Sequence, residues 1–335
     1  MQISVVIPTC NRKARLLSLL QNLDQCSYPI HEVIVVDSGE DKLSTAEYFT
    51  FKNYTLHYIQ SEKSVCIQRN IGIQKAASDW IFLCDDDIQI EHDYLEKLSL
   101  HIYSNPKAGA VSGLWLQKEK EGWTAKYPEG SSFRVVWKFF FQLSVWGEID
   151  CRTNNFLIRR IKRYYETRGN HISKAGWPVI TNFSGDHFTT PLYSLGAAMV
   201  KREWLLQSSF DEVLDRHGIG DNYGVIAGFP DAAIVVVTSA FAYHHHEMVN
   251  RLQKPLQYYR RAIALHYFTK CKKSLRKISK AWLLWSLMGN LLQFIVSGNT
   301  LMIRPALKSV WKIAFGPNPY YKAAQQSRKT EEIFL

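Results

Sequence analysis

The stretch Ser78-Asp79-Trp80-Ile81-Phe82-Leu83-Cys84-Asp85-Asp86-Asp87 decides how this sequence is interpreted. Residues 80–84 have the length and apolar composition of a buried β-strand, and three carboxylates follow directly. In an extended segment, side chains i and i+2 share a face, so Asp85 and Asp87 are expected to face one cavity while Asp86 turns away or reaches a ribose. Mg²⁺ prefers one or two carboxylates plus substrate phosphates. The stretch therefore predicts a metal-phosphate site, with a solvated acidic turn as the alternative.

The chain before this stretch alternates strand and helix patterns. Apolar runs predict strands at 3–7, 32–36 and 56–60, and leucines at helical spacing predict a helix over 12–23. This alternation predicts an α/β fold with a mostly parallel sheet flanked by helices. Open sheets of this kind bind ligands at the carboxyl ends of their strands, so the polar loops after the strands are expected to line one crevice.

Four motifs give the chain a family resemblance. They are Val6-Ile7-Pro8-Thr9-Cys10-Asn11-Arg12, Val35-Val36-Asp37-Ser38-Gly39, Gln68-Arg69-Asn70-Ile71-Gly72 and Asp85-Asp86-Asp87. Their order and spacing resemble the nucleotide-sugar motifs of family 2 glycosyltransferases, which have the Rossmann-like GT-A fold. The sequence contains no GxGxxG or GxxxxGK[ST] motif, which argues against a dinucleotide-binding or P-loop protein.

The resemblance implies a binding site for a nucleoside-diphosphate sugar. Its implied residues are Thr9, Asn11, Asp37, Arg69, Asn70, Asp85 and Asp86. Thr9 and Asp37 are implied to contact the nucleoside, and Arg69 and Asn70 to lie near the base or diphosphate. Other roles stay open from the residues alone, because Asp37 also suits a turn, Asn11 a helix cap and Arg69 a surface helix.

A second region of resemblance supplies the candidate catalytic base. Residues 194–203 and Phe210-Asp211-Glu212 resemble the family segment that passes the donor sugar and leads to the catalytic acid. The family usually continues with Gly-Glu-Asp, whereas this chain has Gly220-Asp221, with glycine in place of the glutamate. An inverting transfer needs one carboxylate to accept the proton of the acceptor hydroxyl, and Asp221 is the candidate. Asp211 and Asp215 are the fallbacks, and a helix-capping role for Asp221 is the alternative.

A last apolar strand, predicted over 232–242, ends in a run of three histidines. His244 and His246 share a face by alternation, and His244 matches best the position at which family members often place a metal-binding histidine. The predicted metal ligands are thus Asp85, Asp87 and His244. Imidazole suits Mn²⁺ better than Mg²⁺, so the predicted cofactor is Mn²⁺ or Mg²⁺, with Mn²⁺ favoured if the histidine binds.

The C-terminal region is strongly basic. The 335 residues carry a net charge of +11, and residues 251–335 hold sixteen Lys or Arg but only two acidic residues. A helix predicted over 281–298 is apolar except for a narrow polar stripe of Ser286, Asn290, Gln293 and Ser297. Because a spanning helix needs about 20 mainly apolar residues, residues 270–300 favour an in-plane helix on an anionic membrane surface. Packing on the catalytic domain or in a dimer is the alternative, and nucleic-acid binding is not favoured.

The cellular location is predicted from the cysteines and the N-terminus. The six cysteines are scattered without a CxxC pair, which favours reduced thiols. The N-terminus enters a strand at once and lacks the pattern of a signal peptide. The expectation is a cytoplasmic protein, peripheral on the cytoplasmic face of the membrane.

These features predict a GT-A domain over 1–250, with a nucleotide-binding half at 1–110 and an acceptor half at 111–250, followed by a helical extension over 251–335. The predicted function is inverting transfer of a sugar from a nucleoside-diphosphate sugar to a hydroxyl of a glycan or lipid-linked acceptor in cell-surface polysaccharide synthesis. The alternatives are a sugar nucleotidyltransferase and a catalytically silent sugar-nucleotide- or glycan-binding protein.

Overall fold

A computed structural model describes residues 1–44, 47, 50–119, 122–125, 131–150, 154–214, 216–245 and 252–326. Its strands are β1 (Ile3–Thr9), β2 (Glu32–Asp37), β3 (Thr55–Gln60), β4 (Trp80–Cys84), β5 (Ile88–Ile90), β6 (Ala110–Glu119), β7 (Gly122–Thr124), β8 (Val145–Trp146), β9 (His171–Ile172), β10 (Pro178–Ile180), β11 (His187–Thr190), β12 (Ala197–Lys201) and β13 (Ile234–His244). Its helices are α1 (Lys13–Asp24), α2 (Val65–Lys75), α3 (Tyr94–Ser104), α4 (Ser132–Phe140), α5 (Phe156–Arg168), α6 (Arg202–Gln207), α7 (Asp221–Ile226), α8 (Lys254–Cys271), α9 (Lys280–Val296), α10 (Thr300–Phe315) and α11 (Pro319–Gln326).

The large sheet has the strand order β11-β13-β6-β12-β4-β1-β2-β3, with β5 paired to β13 and β7 to β6. Strands β4, β1, β2 and β3 are mutually parallel, as the alternation of strands and helices predicted. On the other side of β4, β12 runs antiparallel between β4 and β6. The predicted α/β class with a mostly parallel sheet, flanking helices and a helical C-terminal region is therefore confirmed.

Burial explains why the strand predictions succeed. Every residue of β1, β2 and β4 is buried, so the continuous apolar runs reflect a sheet that is covered on both faces. Helix α1 buries Leu16, Leu19, Leu20 and Leu23, whose spacing marks one helical face. These apolar faces fix the strands in register and bring their polar carboxyl ends to one edge of the sheet.

The chain divides into two compact units. The sheet unit comprises 1–125, 184–212 and 216–249, and the helical unit comprises 126–183, 213–215 and 250–335. In this division, residues 126–183 belong to the same compact unit as residues 250–335, and the predicted domain boundary at residue 250 stays a prediction. The indole N–H groups of Trp137 and Trp177 donate to Gly289 O and Ser286 Oγ of α9, at 3.2 and 2.8 Å.

Helix α9 exposes an apolar face within the helical unit. Ser286 of the polar stripe is fully buried, and Leu283, Leu287 and Leu291 are buried beside it. The exposed large apolar side chains of α9 are Trp282, Trp285, Met288, Leu292, Ile295 and Val296. No helix of the described ranges is both long and apolar enough to span a bilayer. Ser286 of the stripe thus packs against protein, whereas Ser297 at the end of the stripe is exposed, and six large apolar side chains of α9 face outward.

Candidate active site

The carboxyl ends of β1 and β2 form the floor of the site. Thr9 and Asp37 are neighbours in the parallel register, each at the last position of its strand. The side-chain amide of Gln68 on α2 donates to Thr9 O and Val36 O, both at 2.7 Å. Because both carbonyls belong to strand ends, this buried glutamine fixes α2 against the edge of the sheet where the predicted site residues lie.

The acidic triplet leaves β4 in a turn rather than in an extended segment. Asp86 accepts hydrogen bonds from Thr9 Oγ1 and Arg12 Nη1, both at 2.8 Å, and Arg12 Nη1 also lies 3.4 Å from Asp87 Oδ2. Burial raises the pKa of the Asp86 carboxyl to about 6, although Arg12 opposes the shift. Strand alternation does not continue through the triplet, because the turn brings Asp86 and Asp87 to the same guanidinium while Asp85 pairs with Arg69. The expected contact of Asp86 with a ribose stays a prediction.

Arg69 joins the first carboxylate of the triplet to the candidate base. Its Nη2 lies 2.6 Å from Asp85 Oδ1, and its Nη1 contacts Asp221 Oδ2. The side chain of Arg69 is only 5% exposed and lies over the ring of Phe210, 5.0 Å from the centroid. Burial alone would lower the pKa of Arg69, but the charges of Asp85 and Asp221 raise it. Arg69 is therefore a buried, permanently charged bridge and not a residue of a surface helix.

The tight loop that contains Gly218 and Gly220 positions Asp221 beside Arg69. Gly218 and Gly220 both have positive φ, at 59° and 97°, in the left-handed region that disfavours side chains. A Cβ on Gly218 would lie 2.5 Å from Val65 Cγ1 at the start of α2. Burial raises the pKa of the Asp221 carboxyl, and Arg69 opposes this shift. The positive φ of Gly220 thus explains why this chain has glycine at the position where the family usually has glutamate.

Strand β12 passes directly beside Asp85. The Asp85 backbone N–H donates to Gly196 O at 2.9 Å. A Cβ on Gly196 would collide with the carboxylate of Asp85. Only glycine therefore permits this approach of the segment that the resemblance places at the donor sugar.

Asn70 holds a loop rather than joining the carboxylates. Its amide group donates to Phe210 O and Glu212 Oε1, both at 2.9 Å, and its Oδ1 accepts the N–H of Phe210 at 3.0 Å. These bonds occupy the side chain and fix the segment beneath Arg69. Asn70 thus positions the segment that carries Phe210. The sequence alone did not distinguish this positioning role from direct binding of the donor.

Asp37 and Asn11 shape the neighbouring turns. Asp37 accepts the Gly39 N–H at 2.7 Å and a contact from the Tyr58 hydroxyl. Asn11 has a φ of 54° and accepts the Glu40 N–H at 2.8 Å through Oδ1. Asp37 thus makes the turn bond that the sequence left open as its alternative. Asn11 does not make the helix cap left open for it, because the N-cap residue of α1 is Arg12 and the Asn11 side chain binds a loop residue instead.

The predicted metal ligands lie in two groups. His244 Nε2 is 3.5 Å from Asp87 Oδ2, whereas Asp85 pairs with Arg69. Across the described residues, no cluster of three or more His, Cys, Asp or Glu side chains is arranged to hold a metal ion. One carboxylate and one imidazole nevertheless suit Mn²⁺ when substrate phosphates complete the coordination. His246 and the fallback Asp215 lie outside the described residues.

Arg12 is the site residue that sequence reasoning missed. It bridges Asp86 and Asp87 with a side chain that is 18% exposed. Its position indicated a site residue, because Arg12 is the last residue of the first family motif and lies three residues after the last residue of β1. Its partner carboxylates lie more than 70 residues later, and only the pairing of β1 with β4 brings the two together.

Solved structures show which known fold the chain shares. Staphylococcus aureus TarS residues 1–349 superpose with a TM-score of 0.50 at 13% identity, covering 97% of this chain and 87% of that one. GalNAc-T7 with UDP, GalNAc and Mn²⁺ gives a TM-score of 0.53 at 14% identity, covering 95% of this chain and 58% of that one. At these identities the likeness establishes the fold, which is that of the GT-A glycosyltransferases.

The family follows from the sequence comparison. The model of Glycosyl transferase family 2 matches residues 4–205, more than half of the chain, and the chain belongs to this family. The glycosyltransferase YwdF of Bacillus subtilis is 26% identical over 264 residues, which cover 69% of this chain and 91% of the relative. The predicted recognition is therefore confirmed, and a nucleotide-sugar-dependent transferase is the class that fold and family support.

Proposed function

We propose that this protein is an inverting glycosyltransferase that moves a sugar from a nucleoside-diphosphate sugar to a hydroxyl group of a glycan or lipid-linked acceptor, in the synthesis of a cell-surface polysaccharide. The observation that carries the proposal is the bridge formed by Arg69 between Asp85 and Asp221. It links a carboxylate of the proposed donor site to the proposed base through a single buried side chain.

The proposed chemistry assigns one role to each group. Thr9 and Asp37, at adjacent strand ends, are proposed to hold the nucleoside, and Asp85 and Asp86 the donor. Asp221 accepts the proton of the acceptor hydroxyl as that oxygen attacks the anomeric carbon. Attack on the face opposite the departing nucleoside diphosphate inverts the anomeric centre.

Arg69 positions the base before the acceptor arrives. Its two guanidinium arms hold Asp85 and Asp221 in fixed orientation, and its charge favours the ionised form of Asp221 against the effect of burial. An ionised carboxylate is the form that accepts a proton, so the bridge supports general-base catalysis near neutral pH.

A divalent cation, Mn²⁺ or Mg²⁺, is part of the proposal. Asp87 and His244 would hold it, and Asp85, the third predicted ligand, is paired with Arg69. When bound, such an ion neutralises charge on the leaving diphosphate. The presence of Mn²⁺ with UDP in GalNAc-T7, which shares the fold, supports this choice.

We also propose that the protein sits peripherally on the cytoplasmic face of an anionic membrane, through a region that includes residues 270–300. The support is the exposed apolar face of α9, where Ile295 is 51% and Val296 79% exposed. Helix α10 exposes Trp311 and Phe315 at 61% and 82%. The sequence from 252 to 326 contains no acidic residue, so cations alone accompany these apolar side chains, as an anionic leaflet requires.

The proposal is tested by thermal unfolding with a panel of nucleoside diphosphates, each with and without Mn²⁺. The expected result is a rise in Tm with one base only, larger with Mn²⁺, and absent in Asp85→Ala. Glu40→Ala, which changes an exposed acid near the same edge, is the control and should retain the shift. If no nucleotide raises the Tm of the wild-type protein, the donor site is lost and a glycan-binding role replaces catalysis.

A product assay separates transfer from the nucleotidyltransferase alternative. Incubation with the stabilising nucleotide sugar and an acceptor extract should release a nucleoside diphosphate. Release of pyrophosphate from a nucleoside triphosphate and a sugar phosphate would instead identify a nucleotidyltransferase.

A further inference from the structure

The helical unit contains a cavity of about 380 Å³. It lies among residues of helices α8 to α11 and the turn that joins α10 to α11. Its lining residues are His266, Lys270, Lys280, Ile313, Gly316, Pro317, Asn318, Tyr321, Lys322 and Gln325. None of them belongs to the sheet unit that holds Asp85 and Asp221. The cavity therefore takes no part in the proposed transfer reaction.

Three lysines from three helices give the cavity its charge. Lys270 comes from α8, Lys280 from the first position of α9 and Lys322 from α11. Two of them are oriented by protein contacts. Lys280 Nζ donates to Ala314 O at 2.9 Å, and Lys270 Nζ lies 5.3 Å from the ring centroid of Tyr321. Within the described part of the chain, no Asp or Glu is among the residues that line the cavity.

His266 is a further lining residue of the cavity. The residue is 95% buried, since only 5% of its surface is exposed. Asn318 Nδ2 lies 2.9 Å from Ile263 O and 3.2 Å from His266 Nδ1, so the amide N–H groups donate to both. The imidazole therefore accepts at Nδ1 and, when neutral, carries its proton on Nε2.

The Nε2 atom of His266 makes no hydrogen bond within the described part of the chain, although it is buried. Leaving a buried N–H donor without an acceptor is destabilising, and a ligand that supplies the acceptor removes this cost. Burial, with Lys270 and Lys280 as further causes, lowers the pKa of His266 to about 4. The neutral His266 ring thus carries an Nε2–H donor that has no acceptor within the described residues. The cavity that His266 lines also carries three lysine ammonium groups, whose charge favours an anion.

We propose that this cavity binds a phosphate group, either a phosphomonoester or a diphosphate. Lysine ammonium groups bind phosphate as point charges, and the imidazole N–H supplies a further donor to a phosphate oxygen. The phosphate can come from a soluble compound or from a lipid headgroup. A lipid source fits the exposed Phe315, which immediately precedes the lining residue Gly316.

The test uses the full-length protein labelled with ¹³C and ¹⁵N at histidine. The His266 resonance is assigned from its loss in His266→Gln. Inorganic pyrophosphate is then titrated while the His266 signal is followed, and the pKa of His266 is measured with and without the anion. Binding should raise this pKa, because a bound anion favours the imidazolium.

A double variant and a matched control locate the site. Lys270→Gln with Lys280→Gln should weaken pyrophosphate binding about tenfold or more, since each lysine provides a charge-assisted contact. Lys277→Gln removes an exposed lysine outside the cavity and should leave the affinity unchanged. Circular dichroism of each variant shows that the fold is retained.

A vesicle arm distinguishes the two sources. Flotation is measured with phosphatidylcholine vesicles that contain phosphatidic acid. If the double variant loses vesicle binding relative to Lys277→Gln while pyrophosphate leaves His266 unmoved, the ligand is a lipid phosphate. A pyrophosphate effect that depends on Lys270 and Lys280 establishes a soluble ligand. Equal behaviour of wild type, double variant and control with both probes would overturn the proposal, whatever the state of the donor site.

Discussion

Arg69 Nη1 contacts the carboxylate of Asp221, a residue 152 positions later in the chain. The same guanidinium holds Asp85 through its other arm at 2.6 Å. The two carboxylates belong to different segments that converge only in the fold. Their shared counter-ion makes the proposed donor site and the proposed base one electrostatic unit, so a change in either carboxylate is expected to affect the other.

Asp221→Asn should abolish most turnover and spare donor binding. A general base contributes about 10²- to 10⁴-fold to rate, and the amide retains the size of the carboxylate. The measurements are release of nucleoside diphosphate in the presence of acceptor and nucleotide binding by thermal unfolding. Asp231→Asn, at an exposed position, is the control and should keep full activity. Unchanged turnover in Asp221→Asn would contradict the role of base and direct attention to Asp211.

Arg69→Leu should destabilise the fold by about 3–5 kcal/mol, because it leaves two largely buried carboxylates without their counter-ion. Urea denaturation at pH 7 gives the free energy of unfolding. The double variant Arg69→Leu with Asp221→Asn should recover part of the loss, since one uncompensated charge is removed. If the double variant is as unstable as the sum of the two single variants, the two residues are not energetically coupled.

The sequence predicted at which edge of the sheet the candidate site lies, but not how the side chains pair within that site. Apolar runs located β1, β2 and β4 because these strands are buried on both faces, and polar residues at their ends marked the crevice. The pairing of Arg69 with Asp221 was beyond prediction, since it depends on the path of a loop with two residues at positive φ. Strand alternation likewise failed for Asp86, where a turn replaces the extended chain.

A similar limit applies to the C-terminal helices. The polar stripe of α9 was evident in the sequence, but a pattern does not specify which side packs on protein. Trp177 Nε1 donates to Ser286 Oγ, so the stripe finds its partner in a segment more than 100 residues earlier. The apolar residues of α9 divide accordingly: Leu283, Leu287 and Leu291 are buried beside Ser286, and six other large apolar side chains are exposed.

Gly220→Glu, which introduces the residue most common in the family, should destabilise this chain. Gly220 has a φ of 97°, and a side chain in the left-handed region costs roughly 1–2 kcal/mol. Urea denaturation of Gly220→Glu and Gly220→Ala separates the two causes, because alanine brings strain without charge. A wild-type free energy of unfolding in both variants would show that the loop relaxes easily, and the backbone argument would fail.

Stability should fall between about pH 6.5 and pH 4 because of His266. Burial lowers its pKa from 6.5 to about 4 in the folded protein, so the unfolded chain binds the proton first as pH falls. This contribution is present above pH 6.5, is lost towards pH 4, and amounts to about 2 kcal/mol after allowance for solvent screening. The free energy of unfolding is measured in phosphate-free buffer at pH 7 and pH 5. His266→Gln should show a smaller difference between the two pH values than wild type, and an equal difference would assign the effect to other groups.

Ile295→Ser with Val296→Ser should weaken binding to anionic vesicles. The two side chains are 51% and 79% exposed at the end of α9, and burying each in lipid contributes about 1–2 kcal/mol, so the expected loss is about tenfold or more. Co-sedimentation with vesicles of phosphatidylcholine and phosphatidylglycerol measures the affinity. Leu100→Ser is the matched control, because Leu100 is an equally exposed apolar residue, at 59%, in the sheet unit.

Raising the salt concentration should also weaken binding of the wild-type protein, since the lysines and arginines beside these helices supply the long-range attraction. Binding that resists both the double substitution and salt would contradict the proposed membrane role of this region.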